Sequence, residues 1–140
     1  MFLQESELKE MFWSNYGKRQ QIITYQFENT ARQGGIDLVT VEKFLDRFEI
    51  CAFEFKLADI KKALAQAKAN LKFVHKSFIV VPAEKKQVIL DKYSAQLKEH
   101  KYIGVMSIEE SGRWEMIYQP KAQQDVIFSQ EIMRLLFIEK

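Results

Sequence analysis

The sequence predicts one α/β domain, with helices on both sides of a central mixed sheet in a three-layer arrangement. Stretches of helix-forming residues alternate with short β-branched strands along the chain, which is typical of an α/β fold. The apolar run over residues 77–81 lacks polar alternation, as expected for a strand buried on both faces of a parallel or mixed sheet. The 140 residues contain no linker or repeat and match the length of one compact domain, about 100–150 residues.

The elements are predicted in the order α-β-β-β-α-β-α-β-β-α. Their ranges, in chain order, are residues 5–16, 22–27, 36–41, 49–57, 58–73, 77–81, 83–99, 102–108, 113–118 and 122–138. Ser6 is a candidate N-cap of the first helix, and Gly17 follows its apolar stripe. The last helix is appended to the core and has a wide apolar face. That face either covers the sheet or stays exposed for a partner, so it is a candidate surface for a homodimer.

Composition excludes several classes of protein. Cys51 is the only cysteine, which excludes an intramolecular disulfide and a zinc site built from cysteines. His75 and His100 are the only histidines, and neither has a metal-ligand neighbour in the sequence. The net charge of +2 neither favours nor excludes nucleic acid as a partner. No apolar run reaches the roughly 18 residues of a membrane span, and the mixed N-terminus is unlike a signal peptide, so we expect a cytoplasmic protein with no membrane partner.

Two of the predicted strands place acidic side chains opposite each other. If the strands over residues 36–41 and 49–57 form an antiparallel hairpin, a loop centred between positions 45 and 46 aligns residues whose numbers add to 91. Asp37 then lies opposite Glu54, with the two Cβ atoms about 5 Å apart. A slip of one residue would move Asp37 to the other face of the sheet, against the hydrophobic pattern. The favoured register therefore predicts two carboxylates side by side.

Such a carboxylate pair predicts a site for a divalent cation. Like charges opposite each other destabilise a sheet, and Mg²⁺, which prefers oxygen ligands, removes the conflict. A metal ion held there lowers the pKa of a bound water and stabilises charge on a phosphate. Lys56 lies two residues beyond Glu54 on the same face, where it would orient that water or neutralise developing charge. Asp37, Glu54 and Lys56 thus indicate phosphodiester hydrolysis; the alternative for an isolated Glu-x-Lys is a solvated strand end.

The same residues resemble a known motif. Gly35-Ile36-Asp37, followed after 16 intervening residues by Glu54-Phe55-Lys56, resembles the PD-(D/E)XK motif of the restriction-endonuclease-like nucleases. The resemblance continues through the next helix and the strand FIVVP. The closing segment YIGVMSIEESGRWEMIYQP is similar to small members of the MmcB-like DNA-repair group. The resemblance implies a restriction-endonuclease-like three-layer α/β/α fold with a central mixed sheet.

The resemblance also implies a role for each motif residue. Asp37 and Glu54 would be metal ligands, and the main-chain carbonyl of Phe55 would supply a third oxygen. Lys56 would be the catalytic lysine, and Gln66 would face the site from the following helix. The implied cofactor is Mg²⁺, with Mn²⁺ as a substitute.

Further residues are expected around this site. Members of the family often add a glutamate from the first helix, which Glu10 or Glu7 would supply here. The chain departs from the motif at Ile36, where the family has proline. Basic loop residues are candidate contacts for DNA phosphates. They are Lys18, Arg19 and Arg32.

These implications favour a Mg²⁺-dependent deoxyribonuclease that acts on DNA, in DNA repair or in the processing of mobile-element or phage DNA. The alternative is a catalytically inactive nuclease fold that binds DNA or another protein. The presence of Asp37, Glu54 and Lys56 favours the enzyme, because a lapsed site would more often have lost one of them. The small net charge disfavours tight sequence-independent binding of DNA by a monomer.

Overall fold

A six-stranded mixed sheet forms the centre of the molecule. The structure is a computed structural model, and it describes residues 1–137. The strands are β1 (Ile22–Asn29), β2 (Ile36–Phe44), β3 (Arg47–Phe55), β4 (Lys76–Pro82), β5 (Ile103–Ile108) and β6 (Trp114–Tyr118). The described residues contain five α-helices, namely α1 (Glu5–Tyr16), α2 (Ile60–Asn70), α3 (Lys86–Lys92), α4 (Ser94–Glu99) and α5 (Ser129–Phe137). The predicted α/β fold class is therefore confirmed.

The strands follow one another in the sheet in sequence order, from β1 at one edge to β6 at the other. β1, β2 and β3 are antiparallel neighbours, β3, β4 and β5 are parallel, and β6 is antiparallel to β5. Parallel neighbours need a crossover connection. Helix α2 provides it between β3 and β4, and α3 and α4 provide it between β4 and β5.

The two faces of this sheet pack against different helices. Helix α1 buries Leu8 and Phe12 against one face, which includes Phe53 of β3. On the other face, α2, α3 and α4 pack against β4 and β5, and α5 packs against β2 and β3, where Ala52 lies. Ala52 and Phe53 are adjacent in sequence and point to opposite faces, as strand geometry requires. We name the two sides the α1 face and the α2 face.

The hairpin of β2 and β3 has the predicted register. Its ladder runs from Leu38 opposite Phe53 to Phe44 opposite Arg47, so each pair of residue numbers adds to 91. The connecting turn takes only two residues, and Leu45 in this turn adopts a left-handed φ of 51°. Both strands are consequently longer at the turn than the sequence indicated.

The predicted C-terminal helix over residues 122–138 is wrong in its first part. Helix α5 begins only at Ser129, and residue 138 lies outside the described residues. The preceding segment is not helical, because Gln123 bonds to the chain near β4 instead of to its own segment. Its main-chain N–H donates to the His75 carbonyl at 3.0 Å, and its side-chain amide donates to the Val74 carbonyl at 2.7 Å.

Helix α5 covers the sheet, as one of the two interpretations of this segment predicted. Ile132 and Leu136 are buried against the α2 face, whereas Met133 and Phe137 remain partly exposed. A homodimer formed through these exposed residues stays a prediction. None of the helices within residues 1–137 has the length and apolar character needed to span a membrane.

The helix predicted over residues 83–99 is interrupted. A short 3₁₀ helix precedes α3, and α3 and α4 are separated at Tyr93. The hydroxyl of Ser94 donates to the Leu90 carbonyl at 2.6 Å and also bonds to the hydroxyl of Tyr118. A serine that bonds the carbonyl four residues earlier bends a helix, which accounts for the break.

Candidate active site

Asp37 and Glu54 lie where the ladder between β2 and β3 ends. Asp37 is near the start of β2 and Glu54 is near the end of β3, one step beyond the last ladder pair. Alternation places both on the α2 face, together with Val39 and Ala52. Oδ2 of Asp37 accepts a hydrogen bond from the main-chain N–H of Phe55 at 2.9 Å. The aspartate side chain therefore reaches across to β3 at the point where the regular pairing stops.

The Glu54 carboxylate is buried, with an exposed fraction of 0%, and it is only partly compensated. Oε2 accepts a hydrogen bond from the Asn70 amide at 2.8 Å and lies 3.3 Å from Nη2 of Arg32. Oε1 has no hydrogen-bond partner among the described residues. Burial, together with the negative charge of Asp37, raises the pKa of Glu54 to about 7. The carboxylate therefore lacks the positive charge that would keep it fully ionised at neutral pH.

Lys56 follows β3 directly, and its side chain is largely buried, with 11% exposed. Its main-chain N–H donates to the Val80 carbonyl at 3.1 Å, which holds the chain against β4 beyond the end of β3. Its amine lies 3.9 Å from Oε1 of Glu5, in the first turn of α1. Asp37, Glu54 and Lys56 thus occupy the same end of the hairpin, but the amine of Lys56 contacts α1, the helix of the opposite face, so its predicted position beside the two carboxylates stays a prediction.

Helix α2 brings one amide to Glu54, that of Asn70, and carries a second, Gln66, one turn earlier. Gln66 and Asn70 lie four residues apart and therefore on one side of the helix. Asn70 is wholly buried and donates to Glu54, and the amide oxygens of Gln66 and Asn70 are buried without a hydrogen-bond partner within residues 1–137. Sequence reasoning predicts Gln66 but misses Asn70. The sequence did contain a signal for Asn70, because this polar residue lies on the same side of the helix as Ala63 and Ala67, which are buried.

Helix α1 brings Glu5, rather than Glu7 or Glu10, to Lys56. The carboxylate of Glu7 accepts a hydrogen bond from the main-chain N–H of Gln4 at 2.8 Å, and Gln4 rather than Ser6 is the N-cap. Glu10 is exposed and lines a surface groove together with Glu7. Since each residue turns an α-helix by about 100°, Glu10 is rotated about 140° from Glu5. The two predicted glutamates therefore lie on other sides of the helix from the residue that reaches the lysine.

Arg32 is the basic loop residue that reaches the site. It lies between β1 and β2, its side chain is 14% exposed, and its Nη2 approaches Glu54 while donating to the carbonyl of Gly35. Gly34 and Gly35 have φ values of 91° and 85°, in the left-handed region that glycine adopts readily. The glycines thus turn the chain so that Arg32 bonds back to its own loop. Its predicted location beside the site is confirmed, and its role at a phosphate stays a prediction.

A second pair of buried carboxylates lies at the turn end of the same hairpin, on the α1 face. Glu42 and Glu49 are direct cross-strand partners, and each is 1% exposed. Their numbers also add to 91, so the predicted register already implied this pair. Arg19, which the sequence suggested as a phosphate contact beside the first pair, instead lies 2.9 Å from Glu42. Lys18 precedes it in the same turn and is exposed.

Both members of this second pair are compensated. Glu42 accepts hydrogen bonds from the hydroxyls of Tyr16 at 2.8 Å and Thr40 at 2.6 Å, in addition to its contact with Arg19. Glu49 lies 2.9 Å from Nε of Arg47 and 2.7 Å from the amine of Lys76. Burial acts to raise the pKa of Glu49, but the bonds from Lys76 and Arg47 outweigh it and lower that pKa. The contacts of Glu42 and Glu49 therefore indicate a structural role for this pair.

The chain matches no protein-family model, no curated protein and no solved structure. In the part of the chain that the structure describes, no group of three or more His, Cys, Asp or Glu side chains is arranged to hold a metal ion. A cation between Asp37 and Glu54 would therefore have two carboxylates as its acidic ligands, with the remaining ligands coming from neutral oxygens.

Proposed function

We propose that this protein is a metal-dependent nuclease that hydrolyses phosphodiester bonds in DNA. The observation that carries the proposal is the carboxylate pair, in which Glu54 is wholly buried beside Asp37 and its Oε1 receives no hydrogen bond from any described residue. A buried charge is stable only when it is paired or coordinates a metal. Arg32 offers one positive charge at 3.3 Å, and a divalent cation would supply the rest.

The donor atoms fit Mg²⁺, with Mn²⁺ as a substitute, because both are hard cations that prefer oxygen ligands. Asp37, Glu54 and the main-chain carbonyl of Phe55 would hold the ion. The amide oxygen of Asn70, whose side chain bonds to Glu54, and that of Gln66 one turn earlier are buried without a hydrogen-bond donor among the described residues, and such acceptors favour a cation over an anion. When bound, such an ion polarises a phosphate and lowers the pKa of a coordinated water.

The order of the elements supports the same proposal. In the run α1-β1-β2-β3-α2-β4, the strands β1, β2 and β3 are antiparallel neighbours and β4 is parallel to β3, which is consistent with the order that the motif resemblance implies. Within it, Asp37 lies on the second strand, Glu54 lies near the end of the third, and Lys56 follows that strand directly. The motif residues therefore occur on the elements that this family would use.

Lys56 is the residue that would act on the phosphate. Its ammonium group carries a positive charge at the end of the hairpin that holds the two carboxylates, where it would neutralise the charge that develops on the phosphate oxygens. Glu5, 3.9 Å away, limits where that ammonium group lies. Gln66 would orient the water or the DNA through its amide.

The proposal is tested with circular single-stranded, duplex and branched DNA, each incubated with the protein in Mg²⁺ and in Mn²⁺. We expect cleavage of at least one substrate that requires the metal and falls by two or more orders of magnitude in Lys56→Ala, as general acid–base and electrostatic groups contribute about 10²–10⁴-fold. Lys92→Ala, an exposed lysine of α3, is the matched control and should cleave normally. If the folded protein cleaves none of these substrates with either metal, the proposal is wrong.

One observation favours the alternative of a nuclease fold without turnover. Arg32 already places a cation beside Glu54, so the site is partly neutralised without metal. Such a protein would bind DNA or another protein and would show binding without cleavage in the same experiment. A role in DNA repair or in the processing of mobile-element or phage DNA remains a proposal that depends on the nuclease function, and a cytoplasmic location remains a proposal as well.

A further inference from the structure

Two donors from different parts of the chain hold the same oxygen of Glu54. Asn70 donates from α2 at 2.8 Å, and Nη2 of Arg32 approaches from the β1–β2 loop at 3.3 Å, and both contact Oε2. Oε1 is equally buried, yet nothing in the described chain donates to it. The carboxylate is thus held at one end and open at the other.

This asymmetry distinguishes Glu54 from Glu42 and Glu49, the buried acids at the other end of the hairpin. Oε1 of Glu49 also has no hydrogen bond of regular geometry, but the amine of Lys76 lies 2.7 Å from it, whereas no cation among the described residues contacts Oε1 of Glu54. Both oxygens of Glu42 receive donors: Oε1 from Arg19 at 2.9 Å, and Oε2 from the hydroxyls of Tyr16 and Thr40. In both of these structural carboxylates, each oxygen therefore has a hydrogen-bond donor or a cation beside it. A purely structural role does not explain why both donors to Glu54 contact the same oxygen.

Of the two donors to Oε2, Asn70 constrains its position more strongly than Arg32 does. Its bond is shorter than the contact of Arg32, its side chain is wholly buried, and it lies on a helix whose residues Ala63 and Ala67 pack in the core. A donor fixed on a packed helix leaves little freedom in the direction that the carboxylate takes. Bonds of this kind orient metal ligands and are needed for full metal affinity.

We propose that Asn70 is a positioning residue which, with Arg32, holds Oε2 of Glu54 and thereby presents Oε1 alone to the metal ion. This inference rests on the proposed function, because it specifies how the metal site of that nuclease is set. Glu54 would bind the ion through one oxygen only. The second oxygen would stay engaged with α2 and would link the position of the ion to that of the helix.

The test measures Mn²⁺ binding by calorimetry on the full chain, with the protein freed of metal beforehand. We expect the unmodified protein to bind Mn²⁺, Glu54→Gln to lose binding, and Asn70→Leu to lose about 10- to 100-fold in affinity. Gln96→Leu, an exposed amide of α4, is the matched control and should bind as the unmodified protein does. Asn70→Ser, which is too short to reach Oε2, should lose affinity as well and serves if the leucine variant does not fold.

Infrared difference spectra on addition of Mn²⁺ give a readout that a merely structural role would not change. The splitting between the two carboxylate stretching bands is wider for binding through one oxygen than through two, so it should narrow from the unmodified protein to Asn70→Ser. Affinity within about twofold of the unmodified protein and an unchanged splitting would overturn the role of Asn70 while leaving the nuclease proposal intact. Absence of Mn²⁺ binding by the unmodified protein would instead remove the metal site on which both proposals depend.

Discussion

The two ends of the β2–β3 hairpin carry the same kind of residue pair in opposite electrostatic surroundings. At the turn end, Glu42 and Glu49 are buried and bonded to Arg19, Arg47 and Lys76. At the open end, the pair formed by Asp37 and Glu54 has a main-chain N–H, an amide and one guanidinium at 3.3 Å. The difference shows that a buried pair of carboxylates is by itself no sign of a site. What distinguishes the open end is that its negative charge is only partly compensated.

The pKa values express the same difference. For Glu49, burial is outweighed by hydrogen bonds from Lys76 and Arg47, so its pKa is lowered. For Glu54, burial and the charge of Asp37 prevail over the bond from Asn70, so its pKa is raised to about 7. The charges at the turn end of the hairpin therefore stabilise the fold, whereas an ionised Glu54 at the open end destabilises it. This leads to mutations with opposite effects on stability.

The largest expected effect is at the compensated end. Lys76→Met removes the amine 2.7 Å from Glu49 and leaves the buried carboxylate with only the exposed Arg47 as a cation. Removing one partner of a buried ion pair costs about 3–5 kcal/mol. We expect a loss of that size in the free energy of unfolding, measured by urea denaturation. Lys92→Met on the surface of α3 is the control, with a change within about 0.5 kcal/mol. A small loss in Lys76→Met would mean that this end is not held by its charges.

At the open end we expect removal of the acid to stabilise the metal-free protein. The rise in the pKa of Glu54 from 4.5 to about 7 corresponds to roughly 3 kcal/mol of unfavourable free energy when the carboxylate is ionised. Glu54→Gln removes the charge and keeps the shape, so it should raise the free energy of unfolding by roughly 2 kcal/mol at pH 8 in the presence of a chelator. A variant less stable than the unmodified protein would show that Glu54 is compensated after all.

The same group determines how stability should change with pH. Between about pH 4.5 and 7 the folded protein retains a proton on Glu54 that the unfolded chain has released. Unfolding is then favoured as the pH rises, so the contribution of Glu54 to stability is present below pH 4.5 and lost by about pH 7. Denaturation curves across this range should show a decline for the unmodified protein that Glu54→Gln lacks. Equal declines in both proteins would place the titration on another group.

The sequence was sufficient for the first pair because the pair depends on local geometry. A two-residue turn and an alternating hydrophobic pattern fix the register of β2 and β3, and that register brings Asp37 to Glu54. The same rule gives Glu42 opposite Glu49, so both pairs were predictable and neither could be ranked above the other from the register alone. The side chains that contact each pair decide which of the two is the candidate site.

Those partners come from elements distant in sequence. Tyr16 and Arg19 reach Glu42 only because α1 and the turn after it dock on one face of the sheet, and Lys76 reaches Glu49 from the start of β4. Asn70 reaches Glu54 because α2 packs on the opposite face. Packing angles of this kind are set by the whole core, so a sequence pattern cannot supply them. The late start of α5 has a similar origin, since it follows from bonds that the main chain and the side-chain amide of Gln123 make to the region before β4.

The smallest expected effect distinguishes two glutamates of α1, Glu5 and Glu10. Glu5 is half exposed and 3.9 Å from Lys56, while Glu10 lies in a groove on another side of the helix. Exposed ion pairs contribute about 0–1 kcal/mol, so Glu5→Gln and Glu10→Gln should both leave the free energy of unfolding nearly unchanged. DNA cleavage should distinguish them, because only Glu5→Gln alters the position of the Lys56 ammonium group. We expect Glu5→Gln to lower kcat by about tenfold with little change in KM, and Glu10→Gln to cleave normally. The reverse result would show that α1 turns its other side toward the site when DNA is bound.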